Sequence, residues 1–364
     1  MFNNAFQGKV VWLSGHTGFK GAWLAVWLVR LGAKVHGFSL PPTTNPALFN
    51  ELDLQSQVAH EIGDVRDFEA VKKSLLRVQP DFVFHLAAQP LVRYSYDHPI
   101  ETFATNIMGT AHVLEALRSL QKPCAAVVIT TDKCYENREQ DYAYAEEDHL
   151  GGHDPYSASK GAAEIVAAAC RRSFFGKSPV RIVTARAGNV IGGGDWALDR
   201  IVPDCIRFLQ RGEAIPIRNK TATRPWQHVL EPLSGYLWLA AQLYQTPTSH
   251  DPLATAFNFG PEKESNRTVV ELVQEILKHW PGQWEDKSDP KAVHEAKLLM
   301  LSTAKAKRLL AWHPTWDFPT AIARTVQWYC AVSADAATAG AVTREQIEQF
   351  EQHARAAGLA WAVK

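Results

Sequence analysis

Apolar residues in the first half of the chain follow two alternating patterns. Short β-branched runs at residues 9–13 (KVVWL), 33–38, 82–86 (FVFHL), 125–130 (AAVVIT) and 180–187 read as buried strands, with 61–63 a shorter one. Between them the apolar positions move to helical spacing, as in Leu24, Trp27, Leu28 and Leu31 after the first run. Asp67 is placed to cap a helix reaching Val78, and further helices are expected from about 99 to 120 and 155 to 174. Strands alternating with helices of this length need crossover connections, which are right-handed. They predict an α/β fold with a doubly wound parallel sheet.

The rhythm changes after Asn189. Gly192, Gly193 and Gly194 form a flexible loop, and the segments beyond it are irregular and rich in Trp and Pro. Residues 1–188 are expected to form the sheet domain. Residues 189–335 read as a smaller C-terminal domain, with segments near 224–260 returning to the first, and 336–364 as a polar helical tail. A second domain placed there covers the carboxyl edge of the sheet, where open α/β sheets bind ligands.

Composition narrows the function classes. The 38 basic and 38 acidic residues cancel. Nucleic-acid binding by bulk charge needs a basic surplus or stripe, so no nucleic-acid partner is expected. With 46% hydrophobic and 21% charged residues the chain can build a large core. No apolar run reaches the roughly 18 residues of a membrane span, so no membrane partner is expected. Residues 1–8 lack the features of a secretion signal. Cys124, Cys134, Cys170, Cys205 and Cys330 are odd in number and widely spaced, which points to reduced thiols and a cytoplasmic setting. The 14 histidines show no ligand spacing, so no metal is expected.

Chemistry enters at the end of the first strand. Gly15, His16, Thr17, Gly18, Phe19, Lys20 and Gly21 form a G-x-x-G-x-x-G turn that opens a helix. Backbone can approach a pyrophosphate there, and the helix N-terminus offers N–H groups and a positive dipole end. The strand–turn–helix context makes residues 1–188 a Rossmann-type dinucleotide-binding domain. After the second strand, where an acid often holds the adenosine ribose, stands Ser39 with no Asp, Glu or Arg beside it. NAD is the expected cofactor and NADP stays open. Ser39 either hydrogen-bonds the ribose or starts the turn before Pro41. Asp64 either accepts from the adenine amine or caps a loop.

Tyr156 and Lys160 lie four residues apart on one helix face. A phenol near its ordinary pKa of about 10 is a poor base at neutral pH. A neighbouring ammonium lowers that value, as does the charge of an oxidised nicotinamide. Tyr156 is then a general base toward an alcohol.

These features, with the run His85, Leu86, Ala87, Ala88, Gln89, the pair Asn106 and Gly109, and Arg186 to Val190, resemble the extended short-chain dehydrogenase/reductase family over about residues 8–330. The resemblance implies a tightly held NAD that is regenerated each turnover, and a nucleotide-sugar substrate. It implies cofactor contacts from Gly15, His16, Thr17, Gly18, Phe19, Lys20, Ser39, Asp64, Val65, Leu86, Ala87, Ala88, Asn106, Tyr156 and Lys160. Gln89, Arg93, Asn189, Arg207 and Arg224 become substrate contacts, with Asn189 and Arg224 near the diphosphate, a task that suits the bidentate fork of Arg. Arg186 reads either as a substrate contact or as half of an ion pair. Pairing through the helices from Pro99 and Pro155, as in relatives, implies a homodimer or homotetramer.

Thr130, Thr131, Asp132 and Lys133 follow the fifth strand. Epimerases of this family carry small non-acidic residues there. The dTDP-glucose 4,6-dehydratases carry Thr-Asp-Glu, in which Asp protonates the leaving C6 hydroxyl and Glu takes the C5 proton. Here Asp132 matches the acid and Lys133 replaces the Glu. Together with 38–43 (FSLPPT), 192–196 (GGGDW) and 224–229 (RPWQHV), this run is similar to the branch of the family that dehydrates CDP-glucose, which implies CDP-glucose as substrate. Lys133 is either a neutral base at C5 or a charged stabiliser of the enolate oxygen. A third arrangement, an ion pair with Asp132, would oppose that residue's role as acid. Glu136 is a substitute base. Thr131 is placed to donate to the C4 oxygen beside Tyr156. A nucleotide-sugar 4-epimerase or reductase stays open, as does a non-catalytic dinucleotide-binding scaffold. Asp132 argues against the first, because epimerisation needs no acid at C6. Tyr156 and Lys160 argue against the second.

Overall fold

The computed structural model describes residues 1–245, 252–288 and 298–363. Seven parallel strands form the central sheet: β1 (Val10–Ser14), β2 (Lys34–Ser39), β3 (Ala59–Ile62), β4 (Phe82–His85), β5 (Cys124–Ile129), β6 (Val180–Ala187) and β7 (Ala256–Phe259). Their order is β7-β6-β5-β4-β1-β2-β3. The order reverses between β1 and β4, the switch point where a doubly wound sheet opens a crevice. Every residue of β4, β5 and β6 is buried. Sheets covered on both faces demand this, which is why these strands read as continuous apolar runs.

Helices cover both faces. Trp23, Trp27 and Leu28 of α1 (Phe19–Arg30) join one core, and the other contains Trp12 and Phe38 with residues of α2 (Phe68–Val78). Asp67 caps α2 by accepting from Ala70 N at 3.1 Å, as expected. The helix expected over 99–120 is present as α3. It runs through Pro99–Phe103, a π-helical turn at Ala104–Met108, and Gly109–Leu117. α4 (Pro155–Phe174) starts where Pro155 takes the first helical position and Asp154 accepts from Ser157 N at 2.9 Å.

Beyond β6 the chain builds α5 (Ile201–Gln210), α6 (Leu230–Gln245) and α7 (Val269–His279), and it re-enters the sheet as β7 beside β6. Short strand pairs, Val190–Ile191 with Gln227–His228 and Thr223–Pro225 with Asn266–Thr268, frame the loops above the carboxyl edge. α8 (Phe318–Ala334) and α9 (Ala339–Ala356) follow. The expected polar tail has a second face. Ile347 and Phe350 of α9 are fully buried, and Glu351 accepts from Trp27 Nε1 at 2.9 Å and pairs with Arg30 at 3.3 Å. The tail therefore docks on α1, because its apolar positions recur three to four residues apart. No described helix is long and apolar enough to cross a membrane, and no group of three potential metal ligands occurs among the described residues.

Candidate active site

A cleft of about 1240 Å³ opens over the carboxyl ends of β1, β2, β4, β5 and β6. Its dinucleotide end is shaped by missing side chains. Gly15 has a φ of +76°, and a Cβ there would stand 2.7 Å from Ala87 N. A Cβ on Gly21 would meet the Gly15 carbonyl oxygen at 2.1 Å. Only glycine lets the turn pass this close to the β4 loop and to the first turn of α1. The resulting cradle presents the α1 N-terminus to the cleft, and its donors suit a diphosphate.

Around it, Thr17, Gly18, Phe19, Lys20, Ser39, Asp64, Val65, Leu86, Ala87 and Ala88 all line the cleft. Thr17 and Ser39 share a hydrogen bond of 2.8 Å, so the residue in the acid's usual place is tied to the glycine turn. Asp64 accepts from Arg66 N at 2.9 Å and from the Arg66 fork at 2.8 and 2.6 Å. Against the cost of its burial, that fork holds Asp64 below the usual carboxylate range.

The other end is built from buried polar side chains. Thr131 Oγ1 donates to Asp132 Oδ1 at 2.8 Å, and Thr131 works to lower the pKa of the Tyr156 phenol. Asp132 is fully buried, and its Oδ2 has no hydrogen-bond partner. Gly188 lines the cleft beside it, where a Cβ would lie 2.2 Å from Oδ2. That carboxyl oxygen occupies the space a Gly188 side chain would fill, and Asp132 itself lies behind the cleft lining rather than in it. Lys133 lines the cleft with its Nζ 3.9 Å from Asp132 Oδ1, in ion-pair reach but beyond a hydrogen bond. Glu136 also lines the cleft.

Burial pushes the Tyr156 phenol well above its ordinary range, and the facing Asp132 adds to the rise. This differs from the lowering expected of Lys160. The Lys160 ammonium is itself lowered to about 8 by burial, and its Nζ lies 3.4 Å from the Ile129 carbonyl. Desolvation outweighs the helix-face pairing. One cation invisible in the local motif compensates from elsewhere. Arg200, paired with Asp195 at 2.8 Å, lowers the phenol's pKa from a loop before α5. Lys20 lies over the Tyr236 ring at 5.8 Å and feels Lys160, Arg200 and Asp132; chiefly burial lowers it to about 7. No spacing rule links Arg200 or Tyr236 to Tyr156.

With this geometry established, the chain can be compared with known proteins. The profile described as GDP-mannose 4,6 dehydratase matches residues 13–325. The chain belongs to that family. It is 46% identical over 335 residues to the CDP-glucose 4,6-dehydratase of Salmonella typhimurium, covering 90% of this chain and 92% of that one. Its fold is similar to the epimerase Mth375 of Methanothermobacter thermautotrophicus, with a TM-score of 0.77, 22% identity, and coverage of 92% and 96%. It is similar as well to dTDP-glucose 4,6-dehydratase of Bacillus anthracis in complex with NAD, with a TM-score of 0.75, 20% identity, and coverage of 90% and 98%.

Several residues carried over from family resemblance do not line this member's cleft. Asn106, in the π turn, accepts from Gln89 N at 2.9 Å and donates to Ser159 Oγ at 2.8 Å. It ties the β4 loop to α4. The Gln89 side chain is taken up by Leu91 and Thr102. His16 turns behind the glycine loop and bonds His60 at 2.7 Å, and burial lowers it to about 4. Arg207 holds the loop over α5 through the carbonyls of Trp196 and Ala197, and pairs with Asp204. Arg186 is buried in an ion pair with Glu164 at 2.8 Å, so the structural alternative holds for it. Arg93, Asn189 and Arg224 do line the cleft, and Asn189 Oδ1 is buried with no hydrogen-bond partner.

Proposed function

We propose that this chain is a CDP-glucose 4,6-dehydratase, converting CDP-D-glucose to CDP-4-keto-6-deoxy-D-glucose and water. The observation that carries the reading is Asp132, a buried carboxyl that accepts from Thr131 at 2.8 Å and keeps its second oxygen unpartnered behind Gly188, a residue of the cleft lining. An acid placed there serves a reaction in which the C6 hydroxyl leaves. The 46% identity to a CDP-glucose 4,6-dehydratase supports the same substrate. The glycine cradle fits a dinucleotide, and NAD, when bound, supplies an acceptor for the C4 hydride and returns it to C6.

The chain's own residues do the rest. Tyr156 takes the proton of the C4 hydroxyl, with Thr131 at the same oxygen. The charge of Arg200 opposes the burial that raises this phenol, and an oxidised nicotinamide held in the cradle would add its own positive charge to that effect. The resulting ketone acidifies the C5 hydrogen, and a base removes it while Asp132 protonates the departing C6 oxygen. Lys133 lines the cleft and is read as the C5 base or as the group that holds the enolate oxygen, while its 3.9 Å distance to Asp132 Oδ1 also fits the ion-pair arrangement. Asn189, Arg224 and Arg93 hold the sugar nucleotide. The roof from residues 189–335 is read as the substrate-binding domain. Exposed Ile100, Met108, Ile165 and Phe174 on α3 and α4 support pairing of two copies into a dimer or a larger assembly. The reaction is read as cytoplasmic.

Mass spectrometry of the purified protein incubated separately with CDP-, dTDP-, GDP- and UDP-glucose tests this. Loss of one water from CDP-glucose, with NAD recovered unconsumed, is the expected outcome. Unchanged mass with inversion at C4, read by sugar NMR, would identify a 4-epimerase and overturn the proposal.

A further inference from the structure

One buried ion pair joins the two halves of the site. Glu164 follows Tyr156 and Lys160 along α4, one further turn beyond Lys160. Its carboxylate accepts from Arg186 Nη2 and from Thr184 Oγ1, each at 2.8 Å, and from Thr130 Oγ1. The other arm of Arg186 points to the far side of the acid-bearing turn. Its Nη1 donates to the Tyr135 hydroxyl at 2.7 Å and to the Glu146 carbonyl at 3.1 Å. The Tyr135 hydroxyl in turn donates to Asn258 Oδ1 of β7 at 2.8 Å. Thr130 and Tyr135 bracket the short helical turn Asp132–Cys134, which carries Asp132 and Lys133. Both ends of that turn are thus fastened to a single pair whose other foot is the helix of Tyr156 and Lys160.

We propose that Arg186, with Glu164 and Tyr135, is a positioning device that sets the Asp132–Lys133 turn against Tyr156 and Lys160, so that elimination at C5 and C6 follows oxidation at C4 on a sugar that does not move. What the turn does rests on the dehydratase reading; the network itself does not.

Stability alone is a poor reason for the pair. Desolvating two charges offsets most of their attraction, and Arg186 Nε is left buried with no hydrogen-bond partner. Geometry is a better one. The planar guanidinium fork reaches a carboxylate with one arm and a phenol with the other, which a single ammonium cannot do. Gly188, whose missing side chain makes room for Asp132 Oδ2, lies two residues beyond Arg186, so the same anchor fixes the wall in front of the acid. Tyr135 borders the cleft, but its hydroxyl is taken up on both sides, accepting from Arg186 and donating to Asn258. Glu164 also touches the oxidation half, because its charge works against the burial that lowers Lys160. The decisive substitution therefore leaves Glu164 in place.

Single-turnover rapid mixing of the NAD-loaded protein with CDP-glucose reads the two steps apart. Nicotinamide absorbance reports C4 oxidation, and quenched 4-keto-6-deoxy product reports elimination and hydride return. Tyr135→Phe keeps the ring and removes only the hydroxyl between Arg186 and Asn258. Product formation should slow by about 10- to 100-fold, the range of a group displaced by a fraction of an ångström to about 1 Å. Reduced nicotinamide should form at close to the wild-type rate and accumulate. Arg186→Lys keeps the charge against Glu164 and loses the second arm, and the same shift is expected. Thr184→Val is the control: it removes a donor to the same carboxylate from β6, away from the turn, and should lower the thermal midpoint with the ratio of the two rates unchanged. Equal slowing of both steps in Tyr135→Phe, a wild-type ratio in Tyr135→Phe or in a folded Arg186→Lys, or as large a shift in Thr184→Val overturns the proposal and leaves the pair a matter of stability. A wild type that makes no 4-keto-6-deoxy product overturns the dehydratase reading instead.

Discussion

The two ends of the cleft are built on opposite principles. At the dinucleotide end the decisive feature is absence: Gly15 and Gly21 have no Cβ, and backbone lies where side chains would be. At the sugar end the decisive feature is a set of buried polar groups, Thr131, Asp132 and Tyr156, whose charges act on one another. A steric site tolerates changes of charge but not of volume. A desolvated polar site does the opposite, because each group's protonation depends on its neighbours. Gly188 belongs to both kinds, since its missing side chain makes room for a carboxylate oxygen.

Substitutions should separate the two principles. The largest effect is expected from Tyr156→Phe, which keeps the volume and removes the phenol hydroxyl. C4 oxidation should fall by about 100- to 10,000-fold with the bound cofactor retained, as read by nicotinamide reduction after mixing with CDP-glucose. Gly188→Ala comes next. Its Cβ must displace Asp132 Oδ2 from 2.2 Å, and a misplaced acid costs up to about 100-fold. Reduced nicotinamide should then accumulate while water loss slows. Equal rates for both steps would show that Asp132 does not act on C6.

At the steric end, Gly21→Ala places its Cβ 2.1 Å from the Gly15 carbonyl oxygen. Overpacking of this kind costs about 1–3 kcal/mol. The thermal midpoint should drop and the protein should lose cofactor on purification, both measurable without substrate.

The smallest effect concerns Lys20. Its folded-state pKa is about 7 against an ordinary 10.5. The unfolded chain therefore binds more protons between those values, so stability rises with pH across that window. Lys20→Met removes the dependence. Scanning calorimetry should show a larger gain in thermal midpoint at pH 6 than at pH 10, and equal gains would contradict a desolvated Lys20.

The sheet was largely legible before its coordinates were known. Residues 125–130 and 180–187 are apolar throughout because both faces of a parallel sheet are covered, and Asp67 and Asp154 mark helix starts by local chemistry that needs no distant partner. The glycine turn was legible for the same reason. The sugar end was legible only as a list. Asn106, Gln89, His16 and Arg207 share the family pattern yet are taken up by hydrogen bonds to residues 11 to 44 positions away, outside the cleft lining. Side-chain direction at such positions depends on partners tens of residues away. The tail misled in a related way. Its polar residues dominate the count, but Ile347 and Phe350 meet α1, more than 300 positions earlier.

Sequence alone determined the doubly wound sheet, the glycine cradle, the helical spacing of Tyr156 and Lys160, and the carboxyl at position 132. Each depends on periodicity, backbone freedom or residue chemistry within one short segment. Tertiary structure decided the balance of charge: that burial raises Tyr156 despite Lys160, that Arg200 opposes the rise from a distant loop, and that the Thr131 hydroxyl is given to Asp132. Those outcomes depend on desolvation and on distances between elements far apart in the chain, which no local pattern encodes.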